Sequence, residues 1–76
     1  MKELVEFIVK SMVKNPDSVE ITETENEKGI TLNVKISGED FGRIIGRNGK
    51  VAMAIRTVVK TSAKKQNKFV FLKFEK

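Results

Sequence analysis

At 76 residues, with 39% apolar and 33% charged side chains, the chain can build one small core and is too apolar to remain disordered. It contains no cysteine and no histidine, which excludes a disulfide framework, thiolate metal sites, and the commonest metal ligand and general base. Charge is split by half: residues 1–40 carry five Lys against nine Asp/Glu, a net of −4, while residues 41–76 carry ten Lys/Arg against Glu75 alone, a net of +9. Such a map suits a carboxy-terminal half that meets a polyanion, or simply a solvated basic helix.

Met1–Lys14 places Leu4, Val5, Ile8, Met12 and Val13 at helical spacing, and Pro16 ends the pattern by forcing Asn15 out of the helical region. Glu3, Glu6 and Lys10 interrupt this segment, so it does not read as a secretion signal. The longest apolar run, Val51–Ile55, has five residues and is far too short to span a bilayer, so a soluble, cytoplasmic protein is expected, with no membrane partner. A first strand is predicted over Val19–Thr24, a hairpin loop at Asn26–Gly29, and a second strand where Ile30, Leu32, Val34 and Ile36 alternate with polar residues.

Ser37–Asp40 carries helix-start chemistry, with Ser37 or Asp40 as the cap of a short helical turn over Phe41–Ile45. Gly46 and Gly49 then interrupt the helical pattern. A longer helix is predicted from Lys50 to about Lys65, with Val51, Ala52, Ile55, Val58, Val59 and Ser62 facing inward and Arg56, Lys60 and Lys64 on another side. Lys68–Glu75 closes the order as a strand, with Val70, Leu72 and Phe74 inside and Phe69, Phe71, Lys73 and Glu75 outside. Phe69 and Phe71 are then either ordinary exposed aromatics or part of a patch that another subunit covers. The predicted fold class is α+β, in the order α-β-β-α-α-β: one domain over residues 1–76, a three-stranded sheet with every helix on one face.

Ile44-Ile45-Gly46-Arg47-Asn48-Gly49-Lys50 is the segment that carries chemistry. Two glycines three apart, between helical patterns, place a tight turn where helix would otherwise continue. The long helix starts directly after it, so free amides and the positive end of the helix dipole point at the loop, where Arg47 and Lys50 add charge. These groups suit a phosphate chain. Asn48-Gly49 is also a hairpin signal, but its flanks lack strand alternation, and a plain helix C-cap needs only one glycine. A Walker loop is excluded because Ile44 and Val51 stand where Gly and Ser/Thr are required.

With G-x-x-G after two isoleucines, inside this order of elements, the chain resembles a KH RNA-binding domain of type II, in which one strand pair is parallel and the sheet is therefore mixed. Its length and the stretch Ile44–Val59 resemble the small stand-alone bacterial KhpA family. The resemblance implies binding of single-stranded RNA, homodimers, and a heterodimer with a KhpB-type KH protein. It also implies an RNA-chaperone or post-transcriptional role linked to cell-wall growth and cell length. KH loops clamp about four nucleotides of backbone. Carried onto this chain, Gly46 and Gly49 let sugar-phosphate approach bare backbone, and Arg47, Asn48 and Lys50 donate to it. Ile44, Ile45 and Val51, with Val34 or Ile36, are candidates for the floor of a shallow groove or are simply core, and Val34 and Ile36 read better as core. Arg43 and Arg56 extend the basic track, or are plain surface charges.

Many KH domains have a large aliphatic residue three positions after the second glycine, where this chain has Ala52. That implies a shallower base contact or closer helix packing. No aromatic lies near the loop to stack a base, so binding is expected to be weak and tolerant of sequence. The alternative is a protein-interaction or dimerisation subunit with RNA incidental. Catalysis ranks behind both. Glu39 and Asp40 are the one acidic pair near the loop and read as helix-start residues, so no cofactor, metal or small-molecule substrate is expected.

Overall fold

A computed structural model describes residues 1–76. The elements are α1 (Lys2–Met12), β1 (Glu20–Asn26), β2 (Gly29–Lys35), α2 (Gly38–Ile45), α3 (Lys50–Lys65) and β3 (Val70–Glu75), with short 3-10 turns at Pro16–Ser18 and Arg47–Gly49. This is the α-β-β-α-α-β order expected. β2 is the central strand, antiparallel to β1 and parallel to β3, so the sheet is mixed. Asn26 shapes the β1–β2 turn: its side-chain oxygen accepts from the Lys28 and Gly29 amides at 2.8 and 3.1 Å.

Register explains which face is buried. Ile21, Val34 and Phe74 align across the three strands, as do Leu32 with Leu72 and Ile30 with Val70, and these rows meet the helices. The opposite face carries Thr22, Asn33 and Lys73 in one row and Thr24, Thr31 and Phe71 in the next, and no helix covers it. Glu23 and Glu25 pair with the buried Leu32 and Ile30 yet remain exposed. They sit on the outer edge strand, past the cover that the helices provide.

The helix readings are corrected in phase rather than in kind. In α1 the fully buried residues are Val5 and Val9, and Leu4, Ile8, Met12 and Val13 flank them half-buried. In α3 the buried stripe is Ala52, Ile55, Val59 and Ala63, whereas Val58 is 49% exposed. The 3-4-4 spacing of that stripe centres it one residue away from Val58. The small Ala63 joins Ile55 and Val59 in the core that seats α3 on the sheet. Burying Ile55 and Val59 contributes about 1.5–3 kcal/mol each.

α2 begins at Gly38, earlier than expected, because Ser37 accepts the Asp40 amide at 3.2 Å and caps it. Of the two cap candidates Ser37 serves, and Asp40 turns inward and is 1% exposed. Its carboxylate accepts the Lys14 amide, the Asn15 amide and the Asn15 side-chain amide, each at 3.0 Å, and the Ser37 hydroxyl at 3.1 Å. The exit of α1 is thereby tied to the start of α2. Donation from the Lys14 amide, joined by Asn15 and Ser37, outweighs burial and holds the carboxyl at about 2, below its ordinary 3.8.

A depressed carboxyl stabilises the fold above its unfolded value and loses that effect as pH falls through its folded value. The melting temperature should therefore drop between about pH 4 and pH 2. Asp40→Asn should melt several degrees lower at neutral pH and show a shallower acid slope in thermal scans by circular dichroism. An unchanged acid slope would remove Asp40 from this role.

Candidate nucleic-acid interface

α2 ends where the Gly46 amide donates to the Gly42 carbonyl at 2.9 Å, and Gly46 then takes φ +76°, ψ 177° to redirect the chain. Asn48 (φ 56°, ψ 26°) and Gly49 (φ 75°, ψ 12°) are left-handed, and the Gly49 amide donates to the Gly46 carbonyl at 3.2 Å. Glycine adopts positive φ without a Cβ penalty, and asparagine tolerates it better than most residues. α3 then starts at Lys50 with Gly49 as N-cap and no side chain satisfying its first amides.

The two glycines differ in what they provide. A Cβ at Gly46 would run into the Val51 side chain, so this glycine seats the loop on the first turn of α3. A Cβ at Gly49 would meet nothing within 4 Å, so its backbone faces open space. Bare backbone for a ligand is thus offered at Gly49, and Gly46 serves the fold instead.

Arg43, Arg47, Asn48 and Lys50 are exposed around this turn. The one ion pair of the molecule, Lys10 to Glu6 at 2.8 Å, lies on α1, so no carboxylate neutralises the loop cations. The dipole of α3 adds positive potential at the same end. The chemistry on offer is therefore anion binding by two arginines, a lysine, an amide side chain and helix N-terminal amides.

Among the groove-floor candidates, Val34 and Ile36 are core as expected, at 0% and 2% exposed, and Ile44 joins them at 0%. Ile45 and Val51 remain half-buried. Val51 shares an open apolar hollow beside the loop with Ile8 and Met12 from α1 and with Ala54 and Val58 from α3. The contribution of α1 was missed. Its signal was the spacing of Ile8 and Met12, which flank the buried Val5–Val9 line rather than join it. Ala52, 2% exposed, fits closer helix packing rather than a shallow base contact.

Arg56 is half-buried, donates from Nε to the Leu72 carbonyl at 3.2 Å, and lies 5.4 Å over the Phe74 ring. The carbonyls of Phe69 and Glu75 accept from Ile30 and Ile36 on the β2 side, so the Leu72 carbonyl faces the open side of β3. Arg56 therefore covers an edge that would otherwise expose unpaired backbone.

A mixed three-stranded sheet in α-β-β-α-α-β order, with a G-x-x-G turn joining the two helices between its parallel strands, defines a type II KH domain. Residues 2–74 match the KhpA/KhpB KH-domain family, and the chain belongs to that family. It is 53% identical over 70 residues to the RNA-binding protein KhpA of Clostridium perfringens, covering 92% of this chain and 93% of that one. Identity to the RNA-binding protein KhpA of Clostridium acetobutylicum is 49%, with the same coverage. To that of Borreliella burgdorferi it is 47%, over 92% of this chain and 85% of the other. No solved structure gives a significant match.

The unequal glycines make a measurable distinction. Gly49→Ala should cost about 1–2 kcal/mol for left-handed backbone alone, a fall of roughly 5–15 °C in melting temperature. Gly46→Ala should cost more, because its φ 76°, ψ 177° lies in a region essentially open to glycine alone and the Val51 contact adds to that. Equal losses in thermal melts would contradict the separate roles.

Proposed function

We propose that this chain binds single-stranded RNA by clamping the sugar-phosphate backbone at the Gly46–Gly49 loop. The observation that carries the reading is the left-handed turn over Asn48 and Gly49. It leaves Arg47, Asn48 and Lys50 exposed at the start of α3, which no side chain caps. Gly49 supplies open backbone, the loop cations and amides hold phosphate, and Arg43 extends the positive surface. The curated relatives are named as RNA-binding proteins over nearly the same length, which supports the same reading. The chain acts as one KH unit over residues 1–76 and as a binding protein rather than an enzyme, in the cytoplasm. No helix is long and apolar enough to cross a membrane.

Contact through backbone, with core rather than aromatic surface behind the loop, supports weak binding that is tolerant of sequence. Avidity from a second copy, or from a KhpB-type KH partner, would raise it. The hollow formed by Ile8, Met12, Val51 and Val58 supports a protein contact of that kind directly beside the loop. In that assembly the chain would serve as an RNA chaperone or post-transcriptional regulator, with the link to cell-wall growth and cell length that its family resemblance implies. The same hollow favours the second reading, a dimerisation subunit with RNA incidental. RNA crosslinking in cells separates the two, since a pure adaptor would give none.

Arg47→Asp with Asn48→Asp removes one cation and adds two anions at the phosphate position. Affinity for single-stranded RNA should fall by about ten-fold or more at low salt, with melting and circular dichroism unchanged. For the natural chain, neutralising about four phosphates gives a slope of roughly −3 in log affinity against log salt. Filter binding or anisotropy across a salt series measures both. Undiminished RNA retention by the double variant would move the site elsewhere.

A further inference from the structure

At the far end of α3 from the loop, Lys60, Lys64 and Lys68 surround Phe69 and Phe71 in an open hollow of about 590 Å³ that no carboxylate lines. The rings are 73% and 51% exposed and line the same hollow, a contiguous patch rather than a lone exposed aromatic such as Phe7. Neither is covered by a cation, since the two cation–π contacts pair Arg56 with Phe74 and Lys76 with Phe41. The three lysines make no ion pair. Phe71 sits on the sheet face that carries no helix, in register with Thr31 and Thr24, and Phe69 immediately precedes β3 at the same end. Lys60 and Lys64 reach the hollow from successive turns of α3, four and eight residues after Arg56 at the β3 edge.

We infer that this hollow is a second contact site for single-stranded RNA, in which Phe69 and Phe71 stack bases and Lys60, Lys64 and Lys68 hold the adjoining phosphates. Free aromatic faces beside unneutralised cations are the two components of sequence-tolerant single-strand recognition. An apolar protein partner would leave three lysines desolvated without counter-charge, which the patch does not provide. Lys60 and Lys64 lie about 15 and 21 Å along the helix from Lys50, so a strand held at the loop must run along α3 to engage this site, and a longer strand covers both more fully. The inference extends the loop reading and assigns to RNA the aromatics that the loop itself lacks.

Fluorescence anisotropy with oligouridylates of about four and about twelve nucleotides tests it. The natural chain should bind the longer strand more tightly than the statistical gain in sites allows. Phe69→Ser with Phe71→Ser should weaken the long strand by about ten-fold or more and the short strand, which the loop alone can still hold, by clearly less. Lys60→Gln, Lys64→Gln and Lys68→Gln together should lower the salt slope for the long strand by roughly two units, from about 0.7 per phosphate. These residues are exposed, and circular dichroism of each variant checks that the fold is kept. Loss of short-strand binding on Arg47→Asp/Asn48→Asp reports on the loop alone, so failure there is distinct from failure here. Long-strand affinity and salt slope unchanged in both far-end variants would overturn the site. So would loss of self-association, read by sedimentation, in place of lost RNA affinity.

Discussion

Between Gly46 and Gly49 the backbone takes positive φ at three of four positions, and the direction of α3 relative to α2 follows from that. A β-branched residue at Gly46 or Gly49 would oppose the turn through its Cβ, and a continuous helix would remove the exposed bend at Asn48 and Gly49. The turn is stabilised from behind, by Val51 filling the space that a Gly46 side chain would take. The exposed groups of the loop thus depend on packing beneath it. The loop stays open on one side because it is closed on the other.

The rest of the fold fixes where that turn sits. Asp40 binds the end of α1 and the start of α2 into one polar knot, the sole fully buried charge in the molecule. Its cost of burial is offset by four donors, consistent with the rule that buried charge survives only when fully hydrogen-bonded. Arg56 performs a related task at the sheet edge, covering the Leu72 carbonyl and resting on Phe74. Charge therefore has two separable uses here: Asp40 and Arg56 hold the scaffold, and the unpaired cations of the second half face outward.

Much of this was legible in the residues. Alternation in β2 reads cleanly because one face is buried and the other is open, and G-x-x-G stands out because helical patterns flank it. Phase within helices was harder. Val58 and Ala63 both fit a broad apolar stripe, and only the seating of α3 on the sheet selects the smaller residue. Likewise Ile44 and Ile45 are identical in sequence terms, yet one is enclosed and the other half-buried, a distinction set by the direction of α2. The partition between Gly46 and Gly49 depends on where Val51 lies in space. Asp40 looked like a cap because caps and buried acceptors use the same side chain, and its donors come from a segment 25 and 26 residues away.

The most direct test of the account is amide chemical-shift mapping by nuclear magnetic resonance as single-stranded RNA is added. The account predicts the largest shifts at the Arg47–Gly49 amides and the first turn of α3, graded by salt, with the buried Ile44 and Val34 little affected. Shifts confined to other surfaces, with the loop amides unmoved at saturating RNA, would contradict it.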